Sequence, residues 1–146
     1  HLAPRALGAR LAAQLRPGDA LMLEGPMGAG KSELARGIAR GLGIEGYLPS
    51  PSFPIMQAYH TGRLPLYHYD WYRLESPDEL YEMGLDEYLY ADGVALVEWP
   101  DRLPSAVPER HLRMRIAGNG EEERVIECVP AGGFRELDEK ALRGEA

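Results

Sequence analysis

Leu7, Leu11 and Leu15 recur every four positions in a stretch rich in Ala, Leu and Arg. That spacing predicts an amphipathic helix over 4–16, closed by Pro17 and Gly18. Residues 19–24 (DALMLE) read as a short, mostly apolar strand that runs straight into a glycine-rich turn. A second helix is predicted over 31–42, built from good helix formers and ended by Gly43. Three prolines and two serines then make 44–54 a surface loop. On either side of Thr61-Gly62, FPIMQAYH and LPLYHYDW have the pattern of two hairpin arms. Ser76-Pro77-Asp78-Glu79 marks a helix start, with a hydroxyl cap, proline at the first helical position and a glutamate placed to close a capping box. This helix is expected to reach about Tyr90, with Gly84 as its weak point. GVALVEW, over 93–99, reads as a buried strand ending in a carboxylate. Pro100, Pro104 and Pro108 constrain the connection that follows, and 111–117 and 123–129 flank Gly118-Asn119-Gly120 as a second hairpin. A short helix is expected within 134–143. No repeat or low-complexity segment is visible. The succession of strands and helices predicts an α/β fold with a mainly parallel core sheet flanked by helices, and antiparallel hairpins added to it.

Length and composition narrow the picture. A chain of 146 residues sets the expectation of a single domain over 1–146, large enough to bury a core without disulfides or a structural metal. The single cysteine, Cys128, excludes a disulfide framework and most zinc modules. Lys and Arg number 16 against 23 Asp and Glu, a net charge of −7. That balance argues against gripping nucleic acid by broad phosphate neutralisation, though it leaves room for a local basic patch. No apolar stretch approaches the roughly 18 residues of a membrane span, and no signal-peptide pattern opens the chain. The expectation is a soluble, cytoplasmic protein. A chain opening on His1 is also expected to have lost a few residues.

The strongest chemical signal is Gly25-Pro26-Met27-Gly28-Ala29-Gly30-Lys31-Ser32, which fits G-x-x-x-x-G-K-[ST] between a predicted strand and a predicted helix. Glycines let consecutive backbone N–H groups aim at phosphate oxygens, and the helix dipole adds partial positive charge there. In such a loop Lys31 bridges the β- and γ-phosphates and the Ser32 hydroxyl is offered to Mg²⁺. The site also needs a carboxylate near the metal on a neighbouring buried strand, and Glu98 at the end of VALVE meets that need. A strand-end glutamate in a salt bridge is its plainer alternative. Asp70 is the second candidate, as a water-mediated metal ligand or the group that orients attacking water; strand-terminating turn chemistry explains it equally well. Ser50-Pro51-Ser52-Phe53 follows the loop's helix where nucleotide switches keep a mobile hydroxyl, so Ser52 is a candidate for the metal or γ-phosphate, against a proline-bounded surface turn. Tyr67, Tyr69, Trp71 and Tyr72 suit either base stacking or the filling of a core and a partner surface. His60, His68 and His111, with Cys128, lack the paired spacings of a zinc site and read as ordinary strand residues.

Taken in order, GPMGAGKS at Gly25, SPSF at Ser50, HYDWYRL over 68–74, DELYEMGLDEYL over 78–89 and LVEWPDR over 96–102 resemble the TsaE (YjeE) family. These are small bacterial P-loop ATPases that serve threonylcarbamoyladenosine modification of tRNA. The resemblance runs from Leu7 to about Val129, and the spaced HxDxYRL and VEWP blocks give it specificity that the loop alone lacks. It implies a P-loop NTPase fold that binds ATP and Mg²⁺. Lys31 and Ser32 are then expected on the triphosphate and metal, Glu98 on Mg²⁺, and Asp70 with Lys31 in support of hydrolysis. It further implies work with TsaD, which transfers the threonylcarbamoyl group, and TsaB, its scaffold paralogue, so that tRNA is met only indirectly through that complex. Pro26 departs from the acidic residue common at its position, Ser32 and Ser52 replace commoner threonines while keeping the hydroxyl, and the N-terminal segment is short.

Other classes stay in view. A small-molecule P-loop kinase suits the length and the loop, but needs an acceptor pocket and usually an arginine-bearing lid. A regulatory GTPase normally reads guanine through N-K-x-D, whereas the one asparagine here is Asn119. A binding module with a vestigial site fits poorly with Lys31, Ser32, Asp70 and Glu98 all present. Slow turnover that depends on partners is the expected behaviour, and the acidic, aromatic block from Tyr67 to Tyr90 is suited to a protein interface.

Overall fold

The computed structural model describes residues 3–26, 30–47, 55–117 and 125–145. Its centre is β1 (Ala20–Glu24), whose alternate side chains enter two different cores: Leu21 and Leu23 on one face, Ala20 and Met22 on the other. A strand buried on both faces must be apolar throughout, which is why DALMLE lacks the alternation of an edge strand. β1 pairs in parallel with β4 (Val94–Glu98) and with β5 (His111–Ala117). β4 in turn pairs in parallel with β3 (Leu66–Asp70). At the margins, β2 (Met56–Tyr59) and β6 (Val125–Ala131) add antiparallel, giving the order β2-β3-β4-β1-β5-β6. Pro130 is tolerated in β6 because the strand lies on the sheet's edge.

Helices α1 (Pro4–Ala12) and α2 (Lys31–Gly41) pack on each other and on the face made by Leu21, Leu23, Leu66, Leu96 and Leu112, with Leu142 of the short α4 (Glu139–Leu142) in the same core. The opposite face is built from Met22, Tyr67, Tyr69, Trp71 and Val97, and is closed by α3 (Asp78–Glu82) and 3-10 turns at Asp86–Tyr90, Pro100–Arg102 and Pro104–Ala106. Both predicted hairpins form, and the fold is the expected α/β arrangement with a parallel core.

Three boundaries differ from the sequence reading. α1 stops at Ala12 rather than Arg16: the next turn tightens to backbone bonds from Ala13 N to Arg10 O, Gln14 N to Leu11 O and Leu15 N to Ala12 O, and guanidinium donors from elsewhere reach its carbonyls, Arg63 donating to Ala12 O and Leu15 O and Arg135 to Gln14 O. Side chains of that kind satisfy the carbonyls a helix leaves open. The helix expected to reach Tyr90 ends at Glu82, since Gly84 takes a left-handed φ of +68° while its N–H donates to Tyr81 O and that of Leu85 to Leu80 O. That is a Schellman stop, sealed by Leu80 and Leu85 in one core. At its start the Ser76 hydroxyl accepts from Asp78 N, and Glu79 reaches back to Glu75 N rather than to Ser76. In the second hairpin Ala117 pairs with Val125 and the strand runs on to Ala131, past the expected end at 129, while the Gly-Asn-Gly turn and 123–124 lie outside the described residues.

Candidate functional site

The carboxyl ends of β1, β3 and β4 carry Glu24, Asp70 and Glu98, with Asp70 opposite Glu98 and Glu98 opposite Leu23 in register. This edge is where open parallel sheets place their ligands. Gly25 leaves β1 with φ +153° and Gly30 precedes α2 with φ +107°, backbone values that side chains rarely adopt. Pro26 is exposed between them. Met27, Gly28 and Ala29, like Ser52, lie outside the described residues.

α2 opens on Lys31, whose side chain is buried. Its Nζ lies 3.9 Å from the centroid of the Trp99 ring and makes no ion pair among the described residues. Burial lowers its pKa, opposed by the negative charges of Glu98, Asp70 and Asp101. Ser32 follows it, exposed. Trp99 has φ +61°, alone among the described non-glycine residues in the left-handed region. Such a conformation costs about 1–3 kcal/mol and persists where surrounding structure enforces it. Here the ring is held between Lys31 and Tyr72, whose ring centroid is 4.9 Å away.

Glu98 is almost fully buried, and its Oε2 accepts a hydrogen bond from His68 Nε2 at 2.7 Å. The other ring nitrogen of His68, Nδ1, accepts from the Tyr47 hydroxyl at 2.8 Å. Burial, then the charge of Glu98, pushes the Tyr47 phenol well above its ordinary pKa, so the hydroxyl stays protonated and donates. With the Tyr47 hydroxyl donating to Nδ1, the Nε2–H of His68 is the proton directed at Glu98. Asp70 is half-buried, and its Oδ1 accepts from Tyr72 N at 2.9 Å, the turn role that sequence reasoning left open. Glu24 is gripped by Arg113 and, at 3.4 Å, by Arg115 of β5, which fixes the strand end entering the loop.

The structure places Lys31 within the field of Asp70 and Glu98; the sequence reading classes His68 with the ordinary strand histidines and passes over Tyr47 and Trp99. For His68 the signal was parity: two residues before Asp70, it shares that face of β3 and so faces toward the Glu98 side. Tyr67, Tyr69 and Trp71 are buried in the second core, so those rings are not available to stack on bases, whereas Tyr72 is about half exposed.

Beside the loop lies a cavity of about 690 Å³ lined by Glu24, Pro26, Lys31, Trp99, Arg115 and Ile116, within the usual range of small-molecule sites. Among the described residues no cluster of three or more His, Cys, Asp or Glu could hold a metal. A single strand-end carboxylate, with the Ser32 hydroxyl next in sequence to Lys31, suits Mg²⁺, which keeps waters and takes its remaining oxygens from phosphates rather than from a protein cage. No helix among the described residues is long and apolar enough to cross a membrane.

Strand, glycine-hinged loop, lysine-opened helix and a carboxylate on the adjacent parallel strand place the chain in the P-loop class of α/β folds. The family model described as Threonylcarbamoyl adenosine biosynthesis protein TsaE matches residues 2–126. The chain belongs to the TsaE family. It is 43% identical over 133 residues to the tRNA threonylcarbamoyladenosine biosynthesis protein TsaE of Bacillus subtilis, covering 91% of this chain and 83% of that one. The protein of the same name from Streptomyces coelicolor is 44% identical over 115 residues, 77% of each chain. The crystal structure of Bacillus subtilis YdiB is similar with a TM-score of 0.75 and 40% identity, over 89% of this chain and 79% of that one.

Proposed function

We propose that the protein binds ATP with Mg²⁺ at the carboxyl edge of its sheet, hydrolyses it slowly, and uses the nucleotide state to act on a TsaB–TsaD complex in threonylcarbamoyladenosine modification of tRNA. The observation that carries this reading is Lys31: a buried ammonium at the start of a helix, with three carboxylates in its field and no ion-pair partner among the described residues. A triphosphate supplies the anion such a group lacks. In this reading Lys31 and the backbone of Gly25 to Ser32 hold the phosphates, while Ser32 and Glu98 hold the cation, with Ser52 as a further contact. A cation held by Ser32 and Glu98 would supply charge neutralisation for the phosphates. Asp70 orients the attacking water with the oxygen that does not close the turn to Tyr72.

The whole chain acts as one domain in the cytoplasm. Its acidic surface leaves tRNA to the partners: over 75–92 there are seven Asp or Glu and no Lys or Arg, while Tyr81, Met83 and Tyr90 stand half exposed or more. Tyrosines on a face without basic residues serve a protein contact better than a phosphate backbone. The kinase alternative is less well supported, since the segment after Glu98 is spent on two short turns whose Leu103 and Ala106 pack into the second core.

Calorimetry with ATP and GTP, each with Mg²⁺, and ATP turnover with and without purified TsaB and TsaD test the proposal. Tighter binding of ATP and partner-stimulated turnover are expected; equal or tighter GTP binding, or turnover indifferent to the partners, contradicts it. The two carboxylates separate in the same assays. Glu98→Gln should raise the Mg²⁺ concentration needed for half-maximal activity, whereas Asp70→Asn should lower turnover with ATP still bound. Identical behaviour of the two variants would show that their roles are not divided.

A further inference from the structure

We infer that His68 and Tyr47 are positioning residues for the cation-holding carboxylate, the Tyr47 hydroxyl fixing the tautomer of His68 and His68 Nε2–H fixing one oxygen of Glu98. This rests on the reading of Glu98 as an Mg²⁺ ligand and names what holds it in place.

His68 is completely buried on β3, in the strand position opposite Leu96. Burying an imidazole costs free energy unless both nitrogens are satisfied. Each is satisfied here by one specific group: Nδ1 by the Tyr47 hydroxyl at 2.8 Å, Nε2 by Glu98 Oε2 at 2.7 Å. The Tyr47 ring also lies nearly parallel to that of His68, with an interplanar angle of 13° and centroids 5.8 Å apart, so the imidazole is held in plane as well as at its edges. A buried leucine would fill the same space without needing donors. What the histidine adds is a directed N–H at the one carboxylate that ends β4. Because Oε2 is taken, Oε1 is the oxygen of Glu98 with no protein donor among the described residues.

The arrangement has the logic of partners that orient a metal ligand from behind: they set its direction and its electron density without touching the metal. Tyr47 comes from the chain leaving α2, the helix whose first residue is Lys31. Glu98 is therefore linked both to the start of α2, through the field of Lys31, and to the segment that follows α2, through His68 and Tyr47.

The test measures ATP affinity by calorimetry over a series of Mg²⁺ concentrations and again without metal, for wild type, Tyr47→Phe, His68→Leu, His68→Gln and Lys31→Ala, beside the thermal midpoint of each unliganded protein. Removing an outer partner of a metal ligand typically weakens metal affinity about 10–100-fold. His68→Leu should raise the Mg²⁺ midpoint within that range, and Tyr47→Phe, which keeps the stacked ring, should raise it by a smaller factor. His68→Gln, which can still donate to Glu98, should fall between His68→Leu and wild type. All three should bind metal-free ATP as wild type does, whereas Lys31→Ala loses affinity with and without metal. An unshifted Mg²⁺ midpoint in folded Tyr47→Phe or in folded His68→Leu overturns the inference, as does an equal loss of metal-free ATP binding, which marks a merely structural role. If wild-type affinity itself ignores Mg²⁺, the reading of Glu98 as a metal ligand fails as well, and that outcome is visible in wild type alone.

Discussion

Arg135→Ala is expected to lower the stability of the unliganded protein by about 3–5 kcal/mol, the usual consequence of leaving a buried charge without its partner. Asp19 is 1% exposed and precedes β1. Arg135 embraces it through two hydrogen bonds, Nη1 to Oδ1 at 2.9 Å and Nη2 to Oδ2 at 2.8 Å, and Arg16 N donates to Oδ2 at 2.7 Å. Among the described residues the other cation near Asp19 is Arg110, at 3.6 Å and nearly half exposed, which is too distant and too solvated to replace a bidentate fork. Arg135 also donates to Gln14 O, so its removal opens the end of α1 as well. The double variant Asp19→Ala/Arg135→Ala should recover part of the loss, because the stranded carboxylate goes with its partner. Urea unfolding at constant slope measures both quantities. A loss below about 1 kcal/mol, the range of exposed pairs, would mean that Asp19 is solvated or re-paired in the variant.

That interaction illustrates what the sequence made legible and what it did not. Period and punctuation located every strand among the described residues, because burial on one or both faces writes itself into runs such as VALVE and LYHYD. The phosphate loop was legible for the same reason, since its glycines and its flanking elements are contiguous. Asp19 and Arg135 stand 116 residues apart, and no local pattern marks either as the other's partner. Tyr47, His68 and Glu98 are likewise brought together only by strand order and by the return of the chain after α2. The helix over 78–90 failed for a local reason: its residues have adequate propensity, but Gly84 offers a left-handed stop that two backbone hydrogen bonds and the Leu80–Leu85 contact complete. Trp99 is a different case. Its left-handed backbone runs against propensity, and disagreement of that kind between local preference and structure tends to gather at functional sites.

Lys31→Ala is expected to weaken ATP binding by roughly 1.5–3 kcal/mol, the worth of a hydrogen bond to a charged group, which is about 10- to 150-fold in affinity. The same substitution should leave unliganded stability nearly unchanged. The lysine pays desolvation for its burial and receives in return only the Trp99 face and the diffuse field of three carboxylates, a contact of about 0.5–2 kcal/mol. Because burial lowers its pKa in the folded state, the unfolded chain binds that proton more tightly. The lysine's contribution to stability therefore rises with pH across the interval between the folded and the unfolded pKa, and Lys31→Ala should remove that component. Trp99 provides an optical check on the same step. When the ammonium moves from the ring to a triphosphate the indole loses its cation, so ATP should change tryptophan emission in wild type. The other tryptophan, Trp71, is fully buried in the second core and stays a constant background. Trp99→Phe should abolish the change with ATP still bound, and Lys31→Ala should abolish it together with most of the affinity. A folded Lys31→Ala variant that binds ATP as tightly as wild type would remove the phosphate-binding role assigned to this lysine, and with it the observation on which the proposed function rests.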